Sequence, residues 1–359
     1  MRLVDKIGNL AATTLMLLLT VMLAGSIVLA ISIGSVDIPV DKVFNVLAYQ
    51  LFGIAFEDPA LISPGTVDYD IIWSIRSPRV FMAVIIGMIL ALAGVVMQAT
   101  VQNPLADPYI LGISSGASLG ATFAIMVGAS TIFTGALANT GIIFWAFLGA
   151  FVASMAVLLL SSIGGKMTSV KLVLSGAIIA SLMGAFSNLI IVLAPDPQRM
   201  QSLTFWLLGS LSGATWSKLL MPLLALAICL IYFMTQLRSL NTMLVGDDTA
   251  TTLGVNLAKK RTIYIFLTSV LTASAVSMCG VVGFVGLMIP HVVRGLVGNN
   301  HWKVVPLSCM VGATFLVFAD LLARVALKNV ELPLGIITAV CGAPIFAYIM
   351  IKKAYSFGA

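Results

Sequence analysis

The residues best equipped for chemistry in this chain are few, and they are clustered. Arg76 and Arg79 flank Ser77-Pro78, Asp320 precedes Arg324 by four positions, and Asp247 and Asp248 are adjacent. Asn103 and Asp107 bracket Pro104-Leu105-Ala106 ahead of Pro108, and His291 stands three residues before Arg294. An arginine fork suits a carboxylate partner geometrically. Acids beside a helix start favour the helix dipole. Prolines at 104 and 108 forbid regular helix and make 103–108 a shaped connector. None of these amounts to a catalytic constellation. Two histidines, His291 and His301, are too few for a metal cage. There is no HExxH, nucleophile elbow or haem-attachment motif, and Gly164-Gly165-Lys166 lacks the upstream glycine of a phosphate loop. The four cysteines, Cys229, Cys279, Cys309 and Cys341, lie in apolar runs without metal or disulfide spacing and read as small buried hydrophobes.

The elements that must position these residues are overwhelmingly apolar. Of 359 residues, 60% are hydrophobic and 9% charged, with mean hydropathy +1.12. Soluble domains average roughly 45–50% apolar and about 25% charged. That composition excludes a water-soluble, disordered or nucleic-acid-binding protein. The net charge of +6 then reports where lysines and arginines sit relative to a membrane. A spanning helix takes ~20 mostly apolar residues. Charge-free runs cover 10–36, 80–106, 108–165, 172–195, 219–237, 262–293, 304–319 and 332–351. The third run is long enough for two helices, with a turn at Gly135–Gly141. The run at 262–293 reads as one full helix and the start of a shorter one continuing past Arg294, with glycines at 280, 283 and 286 as punctuation. The run at 304–319 must extend to about Leu322. The total is ten helices. The first run is too long for a signal-peptide core of ~7–15 residues and is kept as a helix.

Ten spans put both termini on one side. With the termini in the cytoplasm, that face carries 12 of the 19 basic and 4 of the 13 acidic residues, a balance of +8 against −2 outside. This obeys the positive-inside rule. An offset of five spans between halves would make any internal repeat inverted, as in many transporters, although the halves show no sequence similarity. Gradient-driven carriers usually hold ionisable relays within the membrane. Here only Asp320, Arg294 and Arg324 approach it, all near helix ends, which favours an external motor. A gradient-driven secondary transporter is the first alternative and a membrane-embedded enzyme the second.

Four segments combine proline, glycine and charge beside apolar helices. They are Arg76-Ser77-Pro78-Arg79; Ala93–Gln98 running into Asn103-Pro104-Leu105-Ala106-Asp107-Pro108; Gly280–Leu287 with Ile289-Pro290-His291 and Arg294; and Ala319–Arg324 followed by Leu332-Pro333-Leu334-Gly335 and Gly342–Phe346. In this order they resemble the FecCD family, the membrane permeases of ABC importers for iron–siderophore, haem and cobalamin, over about residues 76–350. The resemblance implies an all-α integral membrane protein with the type II ABC importer permease fold, residues 1–359 forming a single transmembrane domain. It implies a permease carrying a bulky metal chelate, most often a ferric siderophore, then haem or cobalamin, by alternating access. The implied partners are a second permease copy, two ATPase subunits and an extracytoplasmic substrate-binding protein, all at the cytoplasmic (inner) membrane. The chain itself is no enzyme and carries no cofactor; ATP and Mg belong to the partner ATPase.

The resemblance also assigns residues. Arg76, Arg79 and Arg324 match positions that pair with glutamates on the two lobes of the binding protein. Local chemistry leaves alternatives: Asp320 and Arg324 have the spacing of an intrahelical pair, and Arg76 and Arg79 could anchor a helix end at headgroups. Segment 239–260 resembles the family's cytoplasmic coupling loop, two short helices that fit a cleft in each ATPase. Its implied contacts are Asp247, Asp248, Ala250, Leu253 and Gly254, with Asp-Asp where relatives often have glutamate. Asn103 and Leu105, with Thr168 and Ser169, match the cytoplasmic gate; Asn103 also suits a cap. The helix at about 172–194 resembles the pathway-lining helix, with Ser175, Ser181, Gly184 and Asn188 as lining. Such small residues equally serve close helix packing. His291 is expected to make a structural hydrogen bond, and Trp206, Trp216 and Trp302 to sit at membrane interfaces.

Overall fold

A computed structural model describes residues 2–352 except 35, 37, 57, 59–62, 130–139, 164–166, 195, 255 and 329. Most of the turn expected at Gly135–Gly141 and the Gly164-Gly165-Lys166 cluster lie outside the described residues. In chain order the helices are α1 (Arg2–Ser32), α2 (Val40–Phe52), α3 (Val67–Tyr69), α4 (Ser77–Val101), α5 (Ile113–Met126), α6 (Gly141–Ser162), α7 (Ser169–Leu193) and α8 (Pro197–Leu208). Then follow α9 (Trp216–Thr235), α10 (Leu237–Met243), α11 (Asp247–Thr252), α12 (Leu257–Cys279), α13 (Val285–Val297), α14 (His301–Val325) and α15 (Leu334–Lys352). A π-helical turn, Asp70–Arg76, leads from α3 into α4, and a 3-10 turn, Pro108–Leu111, leads into α5.

Seven of the described helices are long and apolar enough to cross a membrane, and α5, α13 and α15 are shorter apolar helices. This is compatible with the ten spans expected. The runs at 108–165 and 262–293 each divide into two helices; the second divides at Gly280, as its glycines indicated, whereas in the first α5 already ends at Met126, ahead of the turn expected at Gly135–Gly141. Ser77-Pro78-Arg79, just ahead of the charge-free run at 80–106, forms the first turn of α4. Proline is accommodated there because a first-turn N–H has no helical partner to lose. Helices α2 and α8 carry no long apolar run and have no counterpart in the hydropathy reading.

Helix α4 is the axis of the molecule. Some 83% of its most apolar stretch is buried, against 17% for α7. It packs on α14, α12, α13 and α9, while α5, α6 and α7 form a second group. Glycines set the closest crossings. A Cβ at Gly87 would stand 2.3 Å from the Gly312 carbonyl oxygen, and one at Gly94 would stand 1.9 Å from that of Gly286. Without a hydrophobic drive between helices in lipid, such backbone approach supplies the packing energy.

Starts and breaks follow local rules. Thr168 accepts from the Lys171 N–H, Asp196 from those of Gln198 and Arg199, and Asn300 from that of Trp302, as N-caps of α7, α8 and α14. Between α12 and α13 the helix breaks at Gly280, whose φ is +72°. The freed Cys279 carbonyl is used, accepting from the Ser210 N–H at 2.9 Å, and beside it the Gly209 carbonyl after α8 accepts from the Leu334 N–H at the start of α15 at 2.9 Å. Irregular backbone at membrane depth requires such partners.

Candidate functional site

The four motif segments come together in pairs, one pair at each end of α4. At its N-terminal end the first and fourth meet. Arg79 Nε donates to both Asp320 carboxylate oxygens at 3.0 and 3.2 Å, and its Nη1 donates to both Glu331 oxygens at 3.0 Å. Arg324 lies on the other side of Asp320, with Nε 3.2 Å from Oδ2, so the intrahelical pair allowed by spacing exists and Arg79 completes a triad. Arg76 Nη1 donates to the Ile31 and Ser32 carbonyls at 2.7 and 2.8 Å, and Arg324 Nη2 donates to the Ala30 carbonyl at 2.8 Å. These are the orphan carbonyls at the end of α1. Asp320 is 1% exposed, and a buried carboxylate needs such partners. The three arginines line one open depression of about 490 Å³ with Gly34, Lys328 and Glu331. Four cations thus face two carboxylates there, leaving an electropositive pit.

At the C-terminal end of α4 the second and third segments meet. Gln98, fully buried, donates to the Leu287 carbonyl at 3.1 Å and accepts from Arg294. Tyr109 Oη donates to the Val282 carbonyl at 3.1 Å. Asn103 Oδ1 accepts from the Leu105 N–H at 2.9 Å, so Asn103 shapes the connector locally. Asp107 Oδ1 accepts from the Tyr109 N–H at 2.9 Å. Burial pushes the Asp107 carboxyl up to about 6, with that N–H pulling the other way. Ser169 Oγ donates to the Val101 carbonyl, which brings Thr168 and Ser169 beside the connector that holds Asn103 and Leu105.

Segment 239–260 lies at this same end and contains the end of α10, all of α11 and the start of α12. Asp247 opens α11, and its half-exposed carboxylate turns toward the start of α12: Arg261 Nη1 and Nη2 donate to it at 2.9 and 2.8 Å. The Asp248 side chain lies outside the described residues. Ala250 is buried, whereas Leu253 is 67% exposed and Gly254 follows with φ +84°. On α7, Ser181 and Asn188 share an exposed face with Leu182, Leu189 and Val192, and Gly184 has open space beside it. Ser175 falls on the opposite, buried face with Leu172, Ile179 and Ser187, so it does not share the surface of the other lining candidates.

Sequence reading did not single out Glu331, Arg261 or Asn241, and weighed His301 only as a metal ligand. Asn241 Oδ1 lies 2.8 Å from both the His301 backbone N and Nδ1, tying α10 to the start of α14. Nothing in spacing marks these residues; each acts on an element distant in the chain. His291 does have an interaction partner. Trp216 Nε1 donates to the Trp73 carbonyl at 2.8 Å, and Trp302 is half exposed. Cys229, Cys279 and Cys309 are buried, and Cys341 is half-buried.

Comparison with known proteins gives concordant results. The model of the FecCD transport family matches residues 18–352. An ABC transporter permease protein of Bacillus subtilis (strain 168), YvrB, is 41% identical over 335 residues, covering 92% of this chain and 91% of the relative. The cobalamin import system permease protein BtuC of Halobacterium salinarum is 34% identical over 304 residues, covering 85% of this chain and 79% of that one. A solved structure, described as an inward-facing conformation of a metal-chelate type ABC transporter, superposes with a TM-score of 0.79 at 31% identity, covering 95% of this chain and 100% of that one.

Proposed function

Because the chain belongs to the FecCD transport family, and is thus the membrane permease of an ABC transporter whose ATPase is a separate subunit, we propose that it imports a bulky metal chelate by alternating access. A ferric siderophore is the first choice of cargo and haem or cobalamin the next. In this reading two copies face each other through α7 across the path. Both termini and segment 239–260 are cytoplasmic, and the arginine end faces outward. A binding protein delivers cargo there, and two ATPases holding ATP and Mg engage the opposite end.

The observation that carries the reading is the two-ended arrangement on one buried helix. The electropositive pit and the short-helix pair sit at opposite ends of α4, and α4 touches most of the core. The pit offers guanidinium forks to carboxylates, so Arg76, Arg79 and Arg324 would meet acidic residues of the binding protein while keeping their internal bonds. The exposed Leu253 beside Gly254 offers an apolar tip to an ATPase cleft, with Asp247 and Ala250 holding the short helix that presents it and Asp248 as a further contact for the ATPase. Asn103, Leu105, Thr168 and Ser169 form the inner gate, and Ser181, Gly184 and Asn188 form the lining. A path of small and aliphatic groups lets a large chelate pass without tight binding.

Uptake by proteoliposomes tests this. The chain, its ATPase and its binding protein are reconstituted together and offered labelled ferric siderophore, haem and cobalamin. The expected result is uptake of one of them that requires both ATP and the binding protein. Uptake by the chain alone that collapses with an ionophore would establish the gradient-driven alternative instead.

A further inference from the structure

We propose that Arg261 is the positioning residue that carries movement of α11 to the gate. The inference rests on the reading that segment 239–260 meets the ATPase. Arg261 closes the triplet Lys259-Lys260-Arg261 at the start of α12. Lys259 is exposed and Lys260 half-buried, but Arg261 turns inward and is 6% exposed.

Its guanidinium reaches three elements at once. Nη1 and Nη2 grip the Asp247 carboxylate on α11 at 2.9 and 2.8 Å. Nε donates to the Thr100 carbonyl in the last turn of α4 at 3.1 Å, and Nη1 also lies 3.5 Å from the Met167 carbonyl in the α6–α7 connector. Both carbonyls adjoin the gate. Thr100 is three residues before Asn103, and Met167 immediately precedes Thr168. Ser169 holds Val101, so these two backbone segments are already joined to each other. Arg261 adds α11 to that unit.

The chemistry requires arginine. A planar group with five donors in a fixed fork satisfies one carboxylate and two carbonyls in different directions, whereas the compact ammonium of lysine satisfies them only in turn. Helix α11 is six residues long and packs on α10 and α12. A push on its exposed face therefore reaches the gate through the Asp247–Arg261 pair. It also follows that Asp247 acts as the handle of this link, since both of its oxygens face Arg261.

The test uses the complete complex of permease, ATPase and binding protein in proteoliposomes. Its probe is a thiol-alkylating reagent acting on a Leu105→Cys variant in which the four native cysteines are alanine. With Arg261 present, ATP should change the alkylation rate at position 105. Arg261→Gln should shrink that ATP-dependent change about tenfold, in line with coupling changes carried by residues of such networks, while the ATPase still binds and hydrolyses ATP. Arg261→Lys should lose about half of the change. Asp247→Asn should resemble Arg261→Gln, and the double variant should be no worse than either single one, as for residues acting as a unit. An undiminished ATP response in Arg261→Gln or Arg261→Lys would overturn the proposal, as would additive effects in the double variant. Failure of the underlying reading shows elsewhere: ATPase that does not bind the permease, or no ATP response with Arg261 intact.

Discussion

At the scale of residues, the arginine end shows how one buried carboxylate organises its neighbours. Asp320 accepts from Arg79 and lies against Arg324, and those two arginines with Arg76 reach α1 and Glu331. Removing one partner of a buried pair costs about 3–5 kcal/mol, because the remaining charge loses its compensation. Arg324 still flanks Asp320, so Arg79→Ala should destabilise the detergent-solubilised permease by about 3 kcal/mol, the low end of that range. A denaturant or thermal unfolding series measures it. Stability equal to the parent would show that Arg324 alone satisfies Asp320. The spacing of Asp320 and Arg324 announced their contact because four residues is one helical turn. Glu331 and Arg79 are separated by 252 residues, and no local rule relates them.

At the scale of elements, the glycines of the motif segments mark where helix axes approach. The sequence shows that Gly94 and Gly286 stand in apolar surroundings, but not that they face each other. That follows from the crossing of α4 and α13, where a Cβ on Gly94 would stand 1.9 Å from a carbonyl oxygen. Gly184 on α7 is the contrasting case, with nothing within 4 Å of its virtual Cβ. Gly94→Ala should therefore lower stability by about 1–3 kcal/mol, as overpacking does. Gly184→Ala should leave stability unchanged or slightly raise it, since alanine is the better helix former. Thermal melts of the two variants side by side decide the point. Equal melting temperatures would mean that α13 yields easily at this crossing.

At the scale of the molecule, the division between buried and exposed helices points to what is missing from a single chain. Helix α4 is enclosed, whereas α7 leaves a broad face of aliphatic residues, Ser181 and Asn188 uncovered. If a second copy meets this face across the path, cysteine at Asn188 should cross-link two permeases in native membranes. Cysteine at Ser175, on the buried face, should not. Dimer bands on a non-reducing gel give the readout. Cross-linking at Ser175→Cys with none at Asn188→Cys would place the partner on another helix.

Much of this was legible in residue order because it depends on local chemistry. Apolar run length announces membrane helices, since a bilayer demands internally paired backbone over about 20 residues. Pro104, Pro108 and Gly280 mark breaks because they cannot continue a helix or because they tolerate positive φ. The order of the motif segments led to the family. Tertiary structure alone decided that the first segment pairs with the fourth and the second with the third, that Ser175 faces inward while Asn188 faces outward, and that Arg261 joins α11 to the last turn of α4 and the α6–α7 connector. Each of these depends on which face of a helix meets a distant partner. In a chain apolar on nearly every face, hydrophobic periodicity carries little of that information.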